Sequence, residues 1–309
     1  MYDNIDLTLY KTDFPNCNFL NVIPQYLTSI FSHGESQFGH YINGALGGLK
    51  IKITENSVKI LDSSLCKYYL GNNFKTLGKS DTKHAIVQIS DLLHLPFNLA
   101  NVTRIDVAQN LIMQHPEKLY YPYLGESQHY NRLEQNNGLY YNNNLRQKLF
   151  YGKEHEQKIK KQVIPELYKN RHTLRFELRF RNRLREQFNL PKITADLLYN
   201  ESFYSELVKR WKKEYLNINK NGLPFTSIPP TGSKKDLLNA LAHYALNNIG
   251  QPQVLKQIIE WQTLGIITKK QAYDLRATIK KISQNSYSNE GNQLINELDK
   301  KIKYTARFA

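Results

Sequence analysis

Three segments of this chain carry ionisable side chains at the spacing that a strand displays on one face. They are Val102–Ala108, Lys148–Glu156 and Thr173–Arg181. Side chains alternate along a strand with period two. Arg104 and Asp106 therefore share one face, and Ile105 and Val107 take the other. In the same way Arg175, Glu177 and Arg179 share a face, opposite Leu174, Phe176, Leu178 and Phe180. The middle segment adds Tyr151, followed by Lys153 and Glu156.

A carboxylate pair, guanidinium groups and a tyrosine on one sheet face suit metal-assisted phosphoryl transfer. A phosphodiester anion resists an anionic nucleophile until its charge is neutralised, and a hard divalent cation with oxygen ligands does this. Asp106 and Glu177 are the ligand candidates for Mg²⁺ or Mn²⁺, with Glu156 as a third. Tyr151 is the nucleophile candidate. Its phenol has a free pKa of about 10, so attack requires a nearby cation to favour ionisation. Lys153 supplies one if the strand continues through Gly152, a residue that also admits a close backbone approach. Arg104, Arg175 and Arg179 suit flanking phosphates, since Arg contacts such oxygens bidentately. Arg181, Arg183 and Arg185 suit nonspecific phosphate contact. The structural alternative stays open: Asp106 and Glu177 pair with Arg104 and Arg175 across strands.

The elements that would position these groups are also legible. Residues 3–10 read as a first strand, and residues 47–54 alternate with Leu49, Ile51 and Ile53 on one face. Ser57–Leu61 completes a hairpin with the latter. Asp81 is the expected N-cap of a helix ending before Pro96. Residues 138–141 and 147–151 flank an Asn-rich turn at 142–144, a second hairpin. Lys153–Lys161 begins a helix, and Leu184–Phe188 is a helix or turn. His33 and His40 flank a glycine-rich loop. Beyond Pro191 the spacing becomes helical: Ala195–Trp211, Lys235–Asn248, Pro252–Leu264, and Thr268–Ser283 with Thr268 as N-cap. Pro224, Pro229 and Pro230 mark a linker. The expected layout is α+β: an antiparallel-rich central sheet with flanking helices in a domain of residues 1–215, a linker at 216–232 and a helical region at 233–309.

Composition narrows the partners. The chain carries a net charge of +15 over 309 residues, and such an excess commonly accompanies a polyanion, nucleic acid first. Between Arg146 and Arg185 there are 13 Lys and Arg against 4 Glu, so the basic patch coincides with the candidate site. The 21 tyrosines supply stacking surfaces for unpaired bases. Two cysteines support neither a disulfide framework nor a cysteine zinc site. No run of transmembrane length is present, so a cytoplasmic location is expected, with no membrane partner.

In order and type, residues 103–108, 149–156 and 174–179, followed by Phe188–Pro191, resemble the gene II replication proteins of filamentous phages, within the phage and plasmid gene II/X family. Initiators of rolling-circle plasmids in Gram-positive bacteria are more distantly similar. The resemblance covers residues 102–191 well and 1–210 loosely. It implies a rolling-circle initiator that nicks one strand at an origin, with Tyr151 in the position of the family's active tyrosine. The implied product is a 5′-phosphotyrosyl link and a free 3′-hydroxyl, and the strand is later rejoined. Single-stranded and duplex origin DNA in a bacterial host cell, with its polymerase, are the partners it suggests; a host helicase, a second copy of the chain and duplex DNA are the alternatives for the helical C-terminal region. The chain has no His-hydrophobic-His pair, so carboxylates would hold the metal. The competing function is an origin-binding protein on the same scaffold without chemistry.

Overall fold

Alternating burial places the strands where period two predicts them. In the computed structural model, which describes residues 1–220, 233–284 and 290–308, the strands are β1 (Tyr2–Tyr10), β2 (Ser29–Ser36), β3 (Gly39–Leu46), β4 (Leu49–Thr54), β5 (Ser57–Ile60), β6 (Asn101–Met113), β7 (Leu124–Ser127), β8 (Asn131–Gln135), β9 (Gly138–Asn142), β10 (Arg146–Gly152), β11 (His172–Phe180) and β12 (Ile218–Lys220). Among the described residues, ten form one antiparallel sheet in the order β2-β3-β4-β5-β1-β6-β11-β10-β9-β8, and β7 pairs with β12 separately. The helices are α1 (Phe19–Val22), α2 (Leu65–Leu70), α3 (Lys79–Leu93), α4 (Lys153–Ile159), α5 (Leu184–Phe188), α6 (Glu201–Leu216), α7 (Lys234–Ile249), α8 (Gln251–Thr263), α9 (Lys269–Gln284) and α10 (Glu290–Phe308). The architecture is α+β, with helices flanking the sheet and a helical C-terminal region.

The described residues of Met1–Glu117, Ser127–Asn217 and Lys301–Ala309 form one compact unit, and those of Lys118–Glu126 and Ile218–Lys300 a second. In the first unit the apolar sheet face is closed by α6. Trp211 and Tyr215 are fully buried there. The Trp211 ring packs 5.0 Å from Phe176, which stacks at 4.5 Å on Phe150 of the next strand. Phe150 and Phe176 are register partners, so both project from the same face. This aromatic layer holds β10 and β11 from behind, and the ionisable face lies in front.

Several elements differ from the sequence reading. The N-cap of α3 is Gly78 rather than Asp81. Asp81 sits three residues on, and its Oδ2 accepts the Gly78 N–H at 3.1 Å, which satisfies an orphan donor from inside the first turn. His33 and His40 lie on paired strands, because residues 29–46 form the β2–β3 hairpin. The helical spacing from Ala195 to Trp211 is broken at Asn200, whose side chain accepts from Ser202 and Phe203 N–H and so starts α6. Thr268 caps α9 as expected: its Oγ1 accepts from Gln271 N–H, and Gln271 Oε1 accepts from Thr268 N–H. Helix α10 extends the helical region beyond Ser283, with Leu298 and Ile302 buried at helical spacing. Of the linker at 216–232, residues 221–232 with their prolines lie outside the described residues, and Ile218–Lys220 is strand β12.

Candidate active site

Register alone assembles the ionisable face. Tyr151, Leu149 and Gln147 of β10 stand opposite Arg175, Glu177 and Arg179 of β11. Arg175, Glu177 and Arg179 in turn stand opposite Asn110, Ala108 and Asp106 of β6. The two strands of the sequence reading are therefore neighbours, and β10 completes the triplet.

The Tyr151 hydroxyl donates to Glu177 Oε2 at 3.2 Å. Arg179 Nε donates to the other Glu177 oxygen at 2.5 Å and lies 3.6 Å from Asp106 Oδ2, so one guanidinium stands between the two carboxylates. Arg104 grips Asp106 with two N–H groups at 2.9 and 2.6 Å, a bidentate pair. Burial, then the like charge of Glu177, pushes the Asp106 carboxyl up to about 7, even though Arg104 and Arg179 pull the other way. Burial also pushes the Tyr151 phenol well above its ordinary value, opposed chiefly by the charge of Arg175. At neutral pH the phenol is therefore protonated, and Glu177 is the group placed to receive its proton.

Arg175 is fully buried beneath the residues that follow α2. It donates to Asp3 Oδ2 at 2.5 Å, and to Asn73 O and Asn110 Oδ1 at 3.1 Å each. Its Nε makes no hydrogen bond and lies 3.5 Å from Glu177 Oε2. The expectation that Arg175 holds a flanking phosphate is corrected by this burial, since its charge acts on Asp3, Glu177 and Tyr151 instead. Asp3 itself was not singled out in the sequence. Nothing in the Tyr2–Tyr10 alternation marks it, because a register shift between Tyr2 and Ile5 turns it toward Arg175.

Lys153 and Glu156 are also reassigned. Strand β10 ends at Gly152, and Lys153 opens α4, so the lysine does not continue the Tyr151 face. Its ammonium is buried and donates to Glu156 Oε2 at 2.6 Å. Burial lowers the Lys153 pKa to about 8. Although burial opposes it, the charge of Lys153 holds the Glu156 carboxyl down at about 2, and Lys160 holds its second oxygen at 2.5 Å.

An open cavity of about 300 Å³ gives access to Tyr151, lined also by Tyr140, His155, Glu156, Lys160 and Arg179. Arg181 is exposed and donates to Gln147 Oε1 at 2.8 Å, the oxygen that also accepts from Arg179 at 3.2 Å. Arg183 and Arg185 are exposed beside it. Tyr140 and Gln147 escaped the sequence reading, although their parity with Tyr151 across the Asn-turn hairpin was the available signal.

Among the described residues no group of three or more His, Cys, Asp and Glu converges as a metal centre. Glu156 does not fit a ligand role, because both of its oxygens are held by lysines. Asp106 and Glu177 are held in the same way, Asp106 by both oxygens on Arg104 and Glu177 on Arg179 and the Tyr151 hydroxyl, so a divalent ion, which carboxylates ordinarily ligate, would reach this pair only by displacing those contacts.

Among the described residues no helix is long and apolar enough to cross a membrane. Residues 35–214, more than half of the chain, match the family model that describes the N-terminal part of the phage replication-associated gene II protein. No curated protein matches the chain.

Proposed function

The chain belongs to the family of phage replication-associated proteins defined by the N-terminal part of the gene II protein, and from that premise we propose that it starts replication by nicking and resealing one strand of origin DNA through Tyr151. The observation that carries this reading is the Tyr151 hydroxyl donating to the buried Glu177 at the edge of an open cavity that Arg179 and Lys160 also line. A nucleophile hydrogen-bonded to a proton acceptor, which is itself held by a third group, is the arrangement that activates a hydroxyl.

In the nicking step the phenol proton passes to Glu177, the phenol oxygen bonds to phosphorus, and the bond from phosphorus to the 3′-oxygen breaks. The departing 3′-oxygen takes a proton from solvent, leaving a free 3′-hydroxyl and a 5′-phosphotyrosyl link. Closing reverses this order. The link conserves the phosphodiester energy, so resealing needs no other source. Arg179 and Arg175 are positioning residues: the first fixes Glu177, and the second sets the charge behind the phenol. Lys153 acts at one remove by fixing the first turn of α4 through Glu156. A divalent ion at Asp106 and Glu177 would have to displace the Arg104 and Arg179 contacts made there, and when bound it would supply charge neutralisation at the phosphate.

The deciding experiment is mass spectrometry of the protein after incubation with origin-bearing single strands and Mg²⁺. The expected result is an oligonucleotide adduct on Tyr151, absent in Tyr151→Phe and suppressed by chelation, while Tyr151→Phe still binds the DNA. Full nicking of supercoiled DNA by Tyr151→Phe sinks the proposal. Activity unchanged by chelation removes the metal from it.

A further inference from the structure

A second cleft lies on the first unit, apart from the Tyr151 cavity. Its volume is about 570 Å³, and it is lined by Tyr10, Asn101, Thr103, Arg181, Arg183 and Arg185 among others. Tyr10, at the end of β1, is 41% exposed although its neighbour Leu9 is fully buried. Arg183 occupies the left-handed region at φ 55°. A non-glycine residue is uncommon there, and this backbone turns the chain so that Arg181, Arg183 and Arg185 all line one cleft. Backbone held in a sparsely populated region is a pointer to function when its surroundings support one.

The charges here are incompletely paired. Arg183 faces Glu186 at 3.6 Å with both side chains more than half exposed, and Arg185 reaches the Pro191 carbonyl at 3.5 Å. Partial burial, then the like charges of Arg179 and Arg104, lowers the Arg181 pKa. The cleft also connects with the Tyr151 cavity through one atom. Gln147 Oε1 accepts from Arg179, which lines the first site, and from Arg181, which lines the second.

We propose that this cleft holds unpaired nucleotides of the strand being cut, with backbone phosphates on Arg181, Arg183 and Arg185 and a base stacked on Tyr10. That the bound strand is the one cut rests on the reading of Tyr151 as the nicking residue; the cleft itself does not. The chemistry favours a single strand over duplex. A concave cleft joining an exposed aromatic ring to a row of guanidinium groups matches how unpaired bases and their phosphates are held. Groove readout of duplex uses a projecting helix or ribbon. The Asn101 amide, which lines the same cleft, supplies a donor and an acceptor for a base edge.

The test is fluorescence anisotropy of the Tyr151→Phe protein, which forms no adduct, with a short labelled single strand and with its duplex across a salt series. Tyr10→Leu should weaken single-strand binding about fivefold or more, the loss expected when a stacking platform is removed, and leave duplex binding unchanged. Arg183→Ala with Arg185→Ala should weaken single-strand binding and flatten its logarithmic salt slope by about 1.4, or about 0.7 per lost phosphate contact. Thermal melts confirm that each variant is folded, and these exposed positions leave the core intact. No loss on the single strand, or an equal loss on duplex from Tyr10→Leu, overturns the subsite. If these losses occur but no Tyr151 adduct ever forms, the nicking reading falls and the subsite stands.

Discussion

At the residue scale, the ionisable face is a set of competing charges in which burial decides what each group can do. Glu177 and Asp106 are both buried, yet their partners differ. Asp106 is gripped by Arg104, whereas Glu177 divides its oxygens between Arg179 and the Tyr151 hydroxyl. Only Glu177 is therefore placed to take the phenol proton. The Lys153–Glu156 pair behind it yields a pH prediction. The folded protein keeps Glu156 ionised down to about 2, whereas the unfolded chain protonates it at its ordinary value of 4.5. Within that window the unfolded state binds more protons, so this contribution to stability falls as pH falls. Glu156→Gln should cost about 3 kcal/mol at pH 7, since it leaves the buried Lys153 charge without its carboxylate. Urea melts at pH 7 and below pH 3 check this: the difference should shrink toward the acid end, and a constant difference would refute the assignment.

At the element scale, β10 is the strand on which the site depends. It is clamped by β11 on one side and β9 on the other, and its apolar face lies on the Phe176 and Trp211 layer. The β9 side is unusually close. A Cβ added at Gly138 would stand 2.5 Å from Phe150 O and 3.2 Å from Tyr151 Cβ. Gly138→Ala should push the two strands apart and destabilise the fold by about 1–3 kcal/mol, the range for overpacking. Nicking should fall further than stability does, because Tyr151 moves with β10. Denaturant melts and a nicking assay on the same preparation test this, and wild-type values in both would show that the strands yield freely.

At the scale of the whole molecule, the surplus of positive charge is the main determinant of how the protein meets a polyanion. With Arg179, Arg181, Arg183 and Arg185 on or near the surface, four phosphate contacts give a logarithmic salt slope of about −3 for single-stranded DNA. Binding measured at several salt concentrations should show it. A flat response would mean that the +15 charge serves solubility alone.

The sequence by itself determined the faces. Alternation decides which side chains leave a strand together, and that is a local property, so Arg104 with Asp106, and Arg175 with Glu177 and Arg179, were legible without coordinates. The order of the three segments carried the family likeness in the same way. Only the tertiary structure decided which charges meet and which meet water. Strand order placed β11 between β6 and β10, and the register set Arg179 against Asp106 and Tyr151 against Arg175. A register shift in β1 brought Asp3 to Arg175, and the start of α4 took Lys153 out of the strand face. These outcomes depend on contacts between residues far apart in the chain. Spacing along the sequence therefore cannot carry them, because an ionisable group's role is set by its partners and its burial rather than by its neighbours in the chain.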